Sequence, residues 1–111
     1  MGGAWSQRKL GKDRLSYHHM EYRRIKVTNE VGLHARPAAL FVKESGLFKS
    51  DIRVRNATTD SDWVDAKSIL SVLTLGVEKD HEIEITAQGS DETQAATALE
   101  KLIRTDLAGR L

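Results

Sequence analysis

His34, Arg36 and Pro37 stand close together in the octapeptide Gly-Leu-His-Ala-Arg-Pro-Ala-Ala at positions 32–39. The histidine falls where a strand-like segment has ended and an alanine-rich, helix-like segment begins. Backbone N–H groups at a helix start lack intrahelical partners, and the helix dipole adds partial positive charge there. Such a place attracts anions, phosphate above all. It also disfavours the imidazolium ion, and a neutral imidazole has a ring nitrogen whose lone pair can attack phosphorus. Once attached, a phosphoryl group could be bonded by the N–H groups of Ala35 and Arg36 and by the Arg36 guanidinium. Positioning and charge stabilisation are most of what phosphoryl transfer requires. The spacing therefore points to a histidine that carries a phosphoryl group.

The elements around this site follow from periodicity. Residues 22–29 alternate, with Arg23, Ile25 and Val27 on one face and Tyr22, Arg24, Lys26 and Thr28 on the other, the pattern of a strand with one wet face. Residues 35–45 read as a helix with Ala35, Ala38, Ala39 and Val42 as its apolar stripe and Gly46 as its C′ residue. Pro37 is tolerated in the first turn because its missing N–H breaks no helical bond. Residues 51–56 alternate again, 57–62 read as a hairpin loop and 63–67 as a short strand. Lys67 and Ser68 open a short helix carrying Ile69, Leu70, Val72, Leu73 and Leu75 and closed by Gly76. Residues 81–87 alternate Ile83, Ile85 and Ala87 against Glu82, Glu84 and Thr86. Ser90 is the expected N-cap of a last helix whose stripe is Ala95, Ala96, Leu99, Leu102 and Ile103 and which ends near Gly109. The order is β-α-β-β-α-β-α, an α+β fold with one sheet face packed by helices and the other open to water.

Composition bounds the rest. The 111 residues suffice for one domain, and 40% hydrophobic with 30% charged residues is ordinary for a chain that folds around one core. A net charge of +1 suggests no nucleic-acid partner. The chain has no cysteine, hence no disulfide framework and no thiolate metal site. No metal or cofactor is expected. No apolar run is long enough to span a bilayer and no secretory segment is evident, so cytoplasmic residence is the default. In residues 1–19, Arg8, Lys9, Lys12 and Arg14 oppose only Asp13, and apolar periodicity is lacking. This stretch reads as a flexible extension: a leader from a cloning vector, an upstream start, or a basic arm. The folded unit is placed at 20–111. His18, His19 and His81 have no context like that of His34 and are assigned no chemistry.

Four blocks in order carry a family resemblance: GLHARPAALFV at 32–42, VDAKSIL at 64–70, LGV at 75–77 and IEITAQGSDE at 83–92. Over about residues 20–108 the chain resembles HPr, the histidine-containing phosphocarrier of the bacterial phosphoenolpyruvate-dependent sugar phosphotransferase system. The resemblance implies an open-faced β-sandwich, a four-stranded antiparallel sheet with three helices on one face. It implies that His34 takes a phosphoryl group on Nδ1 from enzyme I and passes it to IIA domains of sugar permeases, assisted by Arg36. Ser68 matches the serine that an HPr kinase/phosphorylase modifies in many Gram-positive bacteria, a modification read there by a catabolite-control transcription factor.

Ser68 also has a plain structural reading as an N-cap, and both stay open. The short second helix holds more apolar residues than one buried face needs. Ile69, Leu70 and Leu73, with Ala39, are the expected docking patch beside His34, and Lys43 and Lys67 the expected steering charges. Two departures from the family stand out. Residues 56–64 form a longer hairpin loop, and Val31 replaces a small polar residue before Gly32, so an orienting side-chain hydrogen bond at His34 is expected to be missing. The leading expectation is a monomeric carrier of the sugar system. The alternatives are a carrier of a nitrogen-related or dihydroxyacetone-kinase phosphorelay, and a regulatory protein acting through Ser68.

Overall fold

A computed structural model describes residues 19–107. Its elements are β1 (Glu21–Lys26), α1 (Ala35–Ser45), β2 (Asp51–Asn56), β3 (Val64–Asp65), α2 (Ile69–Leu73), β4 (Glu82–Gln88) and α3 (Glu92–Lys101). A π-helical turn, Leu102–Asp106, continues α3. The sheet order is β1-β4-β2-β3 with every pair antiparallel. This is the expected element order and sheet. The expected helix end near Gly109 and the extension before residue 19 lie outside the described residues, while His19 lies inside them.

Two strands are shorter than their alternation suggests. β1 stops at Lys26, although pairing runs on through Val27, whose N–H donates to the His81 carbonyl (2.8 Å). β3 has two residues because only Asp65 and Val64 find partners on β2, at Arg53 and Val54. The longer hairpin loop before it is closed from within. The Asn56 side-chain oxygen accepts from the N–H groups of Thr58 (3.0 Å) and Thr59 (3.3 Å), and Arg55 pairs with Asp60 (2.8 Å).

The core lies between one sheet face and the helices. Ile25, Ile52, Val54, Ile83, Ile85 and Ala87 come from the strands and are fully buried beside Phe41, Val72, Leu99 and Ile103. Burying large apolar side chains in this way is the main favourable term in folding. The α1 stripe is rotated from expectation. Pro37, Ala38, Phe41 and Ser45 are buried, whereas Ala35 and Ala39 are exposed and Val42 is half-buried. Phe41 carries the largest apolar surface on this helix and sets which side faces inward. Gly46 keeps φ at −69°, so the helix ends without the left-handed C′ geometry expected there.

The other sheet face is less open than its charges suggest. Glu84 is directly opposite Arg24 on β1 and Arg55 on β2. Both guanidinium groups reach its carboxylate (3.2 Å and 2.6 Å), and the Tyr22 hydroxyl donates to it as well. Arg55 also stacks over Trp63, 5.8 Å from the ring centre. These long side chains cover the middle strand, leaving Glu84 and Thr86 buried. At the start of α3 the cap is Asp91, not Ser90. The Asp91 carboxylate turns to the loop before β2, where it accepts from the N–H groups of Lys49 and Ser50 and from the Ser50 hydroxyl (2.8, 3.0 and 2.6 Å). Those bonds hold its carboxyl below the usual range.

Candidate functional site

The loop from β1 to α1 is built so that one residue after a buried anchor is presented outward. Buried Asn29 donates from its side chain to the Gly32 carbonyl (2.8 Å), and the Gly32 N–H returns to the Asn29 carbonyl (3.2 Å). Gly32 has φ +62° and rests against the 77–78 backbone, where a Cβ would lie 2.1 Å from the Val77 oxygen. Only glycine meets both demands. The next residue, Leu33, donates its N–H to the same Val77 carbonyl (3.0 Å), and its side chain is fully buried. The chain then places His34 at the N-cap of α1 in extended geometry (φ −122°, ψ 163°), with its side chain 37% exposed.

His34 makes no capping hydrogen bond to its own helix. Among the described residues, no loop or turn hydrogen bond uses the N–H groups of Ala35 or Arg36. Ala35 has φ +49°, a left-handed value at the first residue of the helix. For a residue with a Cβ this costs about 1–2 kcal/mol. Regular helical geometry was the expectation there. Arg36 is exposed, and no ion pair with a described residue occupies its guanidinium. Among the described residues, one helix start thus carries an imidazole without a capping bond, two backbone N–H groups without a loop acceptor and a guanidinium without an ion pair.

Sequence reasoning missed Glu78. Its Oε2 lies 3.1 Å from His34 Nε2. The missing polar residue at position 31 implied that no orienting bond would exist; Val31 is indeed exposed and apolar, but Glu78 supplies a hydrogen bond to the ring in its stead. Glu78 follows the Val77 carbonyl that receives Leu33, so the backbone contact that seats His34 also brings the carboxylate to it. Proximity across a turn between α2 and β4 has no periodic signature, which is why the sequence did not reveal it. Nearby, Lys79 pairs with Glu30 (2.9 Å), which holds its ammonium above the usual lysine range.

Helix α2 packs beside α1. Ser68 caps it, its hydroxyl accepting from the Ser71 N–H (3.3 Å). Val72 is buried, while Ile69 and Leu73 are each 38% exposed and Leu70 is 74% exposed. Ala39 and Lys43 on α1 are exposed as well. Leu47, in the turn after α1, is 67% exposed and was not anticipated; a leucine just past Gly46 could have been read as a surface residue. Lys67 is tied to the Phe48 carbonyl through its ammonium (2.8 Å).

The other described histidines have partners of their own. His81 Nδ1 accepts the Glu78 N–H (3.1 Å) and faces the Asn56 amide (3.1 Å), a structural role. His19, which the sequence placed in the extension, lies against the Glu92 carboxylate. With Glu21 it brings three ligand-type atoms within 4.8 Å of one another. Both carboxylates are already used, Glu21 by Arg23 (2.6 Å) and Thr93 (3.1 Å), and Glu92 by the Gly89 N–H (2.9 Å). No helix among the described residues is long and apolar enough to cross a membrane.

Comparison with known proteins converges on one family. Residues 22–105 match the family described as "PTS HPr component phosphorylation site". The chain is 43% identical over 83 residues to the multiphosphoryl transfer protein of Vibrio cholerae serotype O1, an alignment that takes in 75% of this chain and 21% of that relative. The chain therefore spans about a fifth of the length of that relative. Among solved structures, HPr-C-His from Thermoanaerobacter tengcongensis is similar, with a TM-score of 0.75 and 40% identity over 82% of this chain and 99% of that one. The phosphocarrier protein HPr from Bacillus anthracis has a TM-score of 0.71 and 39% identity, covering 76% and 96%. Fold, motif order and a match over most of the chain agree: this chain belongs to the HPr family of the phosphotransferase system.

Proposed function

We propose that this protein is a phosphocarrier that receives a phosphoryl group from phospho-enzyme I on His34 and hands it to IIA domains of sugar permeases in the cytoplasm. The observation that carries the reading is the half-exposed imidazole of His34 at the start of α1, beside unclaimed N–H groups of Ala35 and Arg36. The lone pair of Nδ1 attacks phosphorus, and the donor keeps the electron pair of the bond that breaks. The two amides and the Arg36 guanidinium then share the charge of the phosphoryl oxygens. A shallow site suits a group that must leave again. Exposed Ile69, Leu70 and Leu73, with Ala39 and Lys43, are the surface on which donor and acceptor dock in turn.

The test is incubation of the purified chain with enzyme I and phosphoenolpyruvate. An acid-labile, base-stable phosphate on His34 is expected. His34→Ala should abolish it and keep a cooperative melting transition, because the side chain is at the surface. No phosphate on the intact protein would refute the carrier role.

A second role is proposed for Ser68, as a regulatory phosphorylation site read by an HPr kinase/phosphorylase and a catabolite-control transcription factor. It is favoured by the position of its hydroxyl directly before the exposed Ile69 and Leu70. Alkali-labile phosphate after incubation with the kinase and ATP is the expected result; its absence would remove this role alone.

A further inference from the structure

We propose that Glu78 is a positioning residue for phosphoryl transfer, one that fixes which ring nitrogen of His34 is nucleophilic. The inference rests on the carrier reading for its consequence, but its structural basis is independent of it. A carboxylate can only accept hydrogen bonds. Its oxygen lies 3.1 Å from Nε2, so the bonded form of the neutral ring has its proton on Nε2 and its lone pair on Nδ1. The same contact limits rotation of an imidazole that has no capping bond and no polar neighbour at position 31 to hold it.

The contact is held in place by the backbone. The Glu78 N–H donates to His81 Nδ1, the His81 N–H returns to the Glu78 carbonyl (3.1 Å for each), and the preceding carbonyl receives Leu33. The charged groups around the ring are few. Lys79 is engaged with Glu30, and Arg36, in the first turn of α1, makes no ion pair with a described residue. Glu78 thereby has the closest carboxylate contact to the ring among the described residues.

In the transfer step, Nδ1 forms a bond to phosphorus while the bond from phosphorus to the donor breaks and its electron pair stays with the donor. The Nε2 proton does not leave. Positive charge therefore grows on the ring as the new bond forms, and the Glu78 carboxylate stabilises it. On delivery the P–Nδ1 bond breaks, its electron pair returns to Nδ1, and the ring leaves as neutral imidazole with its proton still on Nε2 beside Glu78. In metal sites, where a carboxylate orients a ligating histidine through its far nitrogen, loss of the carboxylate costs roughly ten- to a hundredfold in affinity or activity.

The experiment uses the full chain as wild type, Glu78→Ala and Glu78→Gln. Two-bond proton–nitrogen spectra of unphosphorylated protein read the tautomer directly. Wild-type His34 is expected in the Nε2–H form, and Glu78→Ala is expected to show a mixture. Transfer from enzyme I and phosphoenolpyruvate should fall by about tenfold in kcat for Glu78→Ala, with KM for the carrier within about twofold and an intermediate loss for Glu78→Gln, which retains an acceptor without the charge. Melting of the variants should match wild type, since Glu78 is 62% exposed. An unchanged tautomer in Glu78→Ala, an unchanged kcat, or a defect confined to KM would each overturn the proposal. A wild-type protein that takes no phosphate would instead overturn the carrier reading, and the spectra would still decide the tautomer.

Discussion

The α-carbon of Gly32 is pressed against the carbonyl of Val77, so closely that a Cβ on Gly32 would lie 2.1 Å from that oxygen and 2.8 Å from the Glu78 α-carbon. The two strand-to-helix and helix-to-strand connections thus meet backbone to backbone, with His34 projecting from one and Glu78 from the other. Gly32→Ala would add a left-handed alanine and a clash with unyielding backbone. We expect a loss of about 2–4 kcal/mol in denaturant unfolding, more than a simple glycine-to-alanine change at a compatible site. Transfer activity of whatever remains folded should fall too, because the contact that aligns His34 with Glu78 is broken. A stability within about 0.5 kcal/mol of wild type would show that the connections can separate at little cost.

Asn56 secures the same region from beneath. It is fully buried, donates to the Leu75 carbonyl (3.1 Å), faces His81 Nδ1, and accepts from the Thr58 and Thr59 N–H groups. Asn56→Leu would leave those partners without it. A loss of about 2–3 kcal/mol is expected from unsatisfied buried groups. Urea titration measures it, and an unchanged midpoint would mean that water replaces the amide.

How much of this was readable beforehand depends on the range of the contact. Alternation in β1, β2 and β4 gave the sheet, because one face of each strand is apolar. The GLHARPAA run placed His34 and Arg36 at a helix start, where the structure has them, because a helix N-terminus is local in sequence. Three features were not legible. Phe41 rotated α1 away from the alanine stripe, since volume outweighed count. Asp91 displaced Ser90 as cap because its carboxylate is drawn to Lys49 and Ser50, far away in sequence. Glu78 reaches His34 only after two separate connections are packed together. Each of these depends on tertiary neighbours that no periodicity encodes.

Acid should weaken the fold through Glu84. Burial raises its pKa, but the Tyr22 hydroxyl and the Arg55 and Arg24 guanidinium groups outweigh that effect and leave it below the ordinary value of 4.5. The folded state therefore binds this proton less readily than the unfolded chain. The resulting stabilisation is fully present above the unfolded value, near 4.5, and is lost as pH falls through the lower folded value. Glu84→Gln should cost about 1–3 kcal/mol at neutral pH, where the carboxylate is bonded to charged partners. The gap between wild type and variant should close as pH drops below 4.5, in denaturation curves measured from pH 7 downward. A gap that stays constant would mean the arginines do not act through its charge.

Ser68→Ala separates the cap this hydroxyl makes from the modification proposed for it. Its bond to the Ser71 N–H is long, at 3.3 Å, so loss of the cap should cost no more than about 0.5–1 kcal/mol. Thermal melting reads the cap, and phosphate uptake from the kinase reads the modification. A large destabilisation would assign the residue chiefly to the fold.

Leu70 is the sharpest probe of docking because burial and function make opposite predictions for it. A residue 74% exposed contributes little to the core, so Leu70→Glu should change unfolding free energy by no more than about 0.5 kcal/mol. The same change puts a charge among the exposed apolar residues Ile69 and Leu73 of the same helix. Partner binding should then suffer without any change at His34. In transfer assays with enzyme I we expect KM to rise by about tenfold or more while kcat stays near wild type, the pattern of lost binding and intact chemistry. Lys43→Ala should raise KM less, and its effect should fade in high salt as screening removes long-range steering. A Leu70→Glu protein with wild-type KM for both enzyme I and a IIA acceptor would place the docking surface elsewhere. A fall in kcat alone would show instead that α2 acts on the geometry of the phosphoryl site.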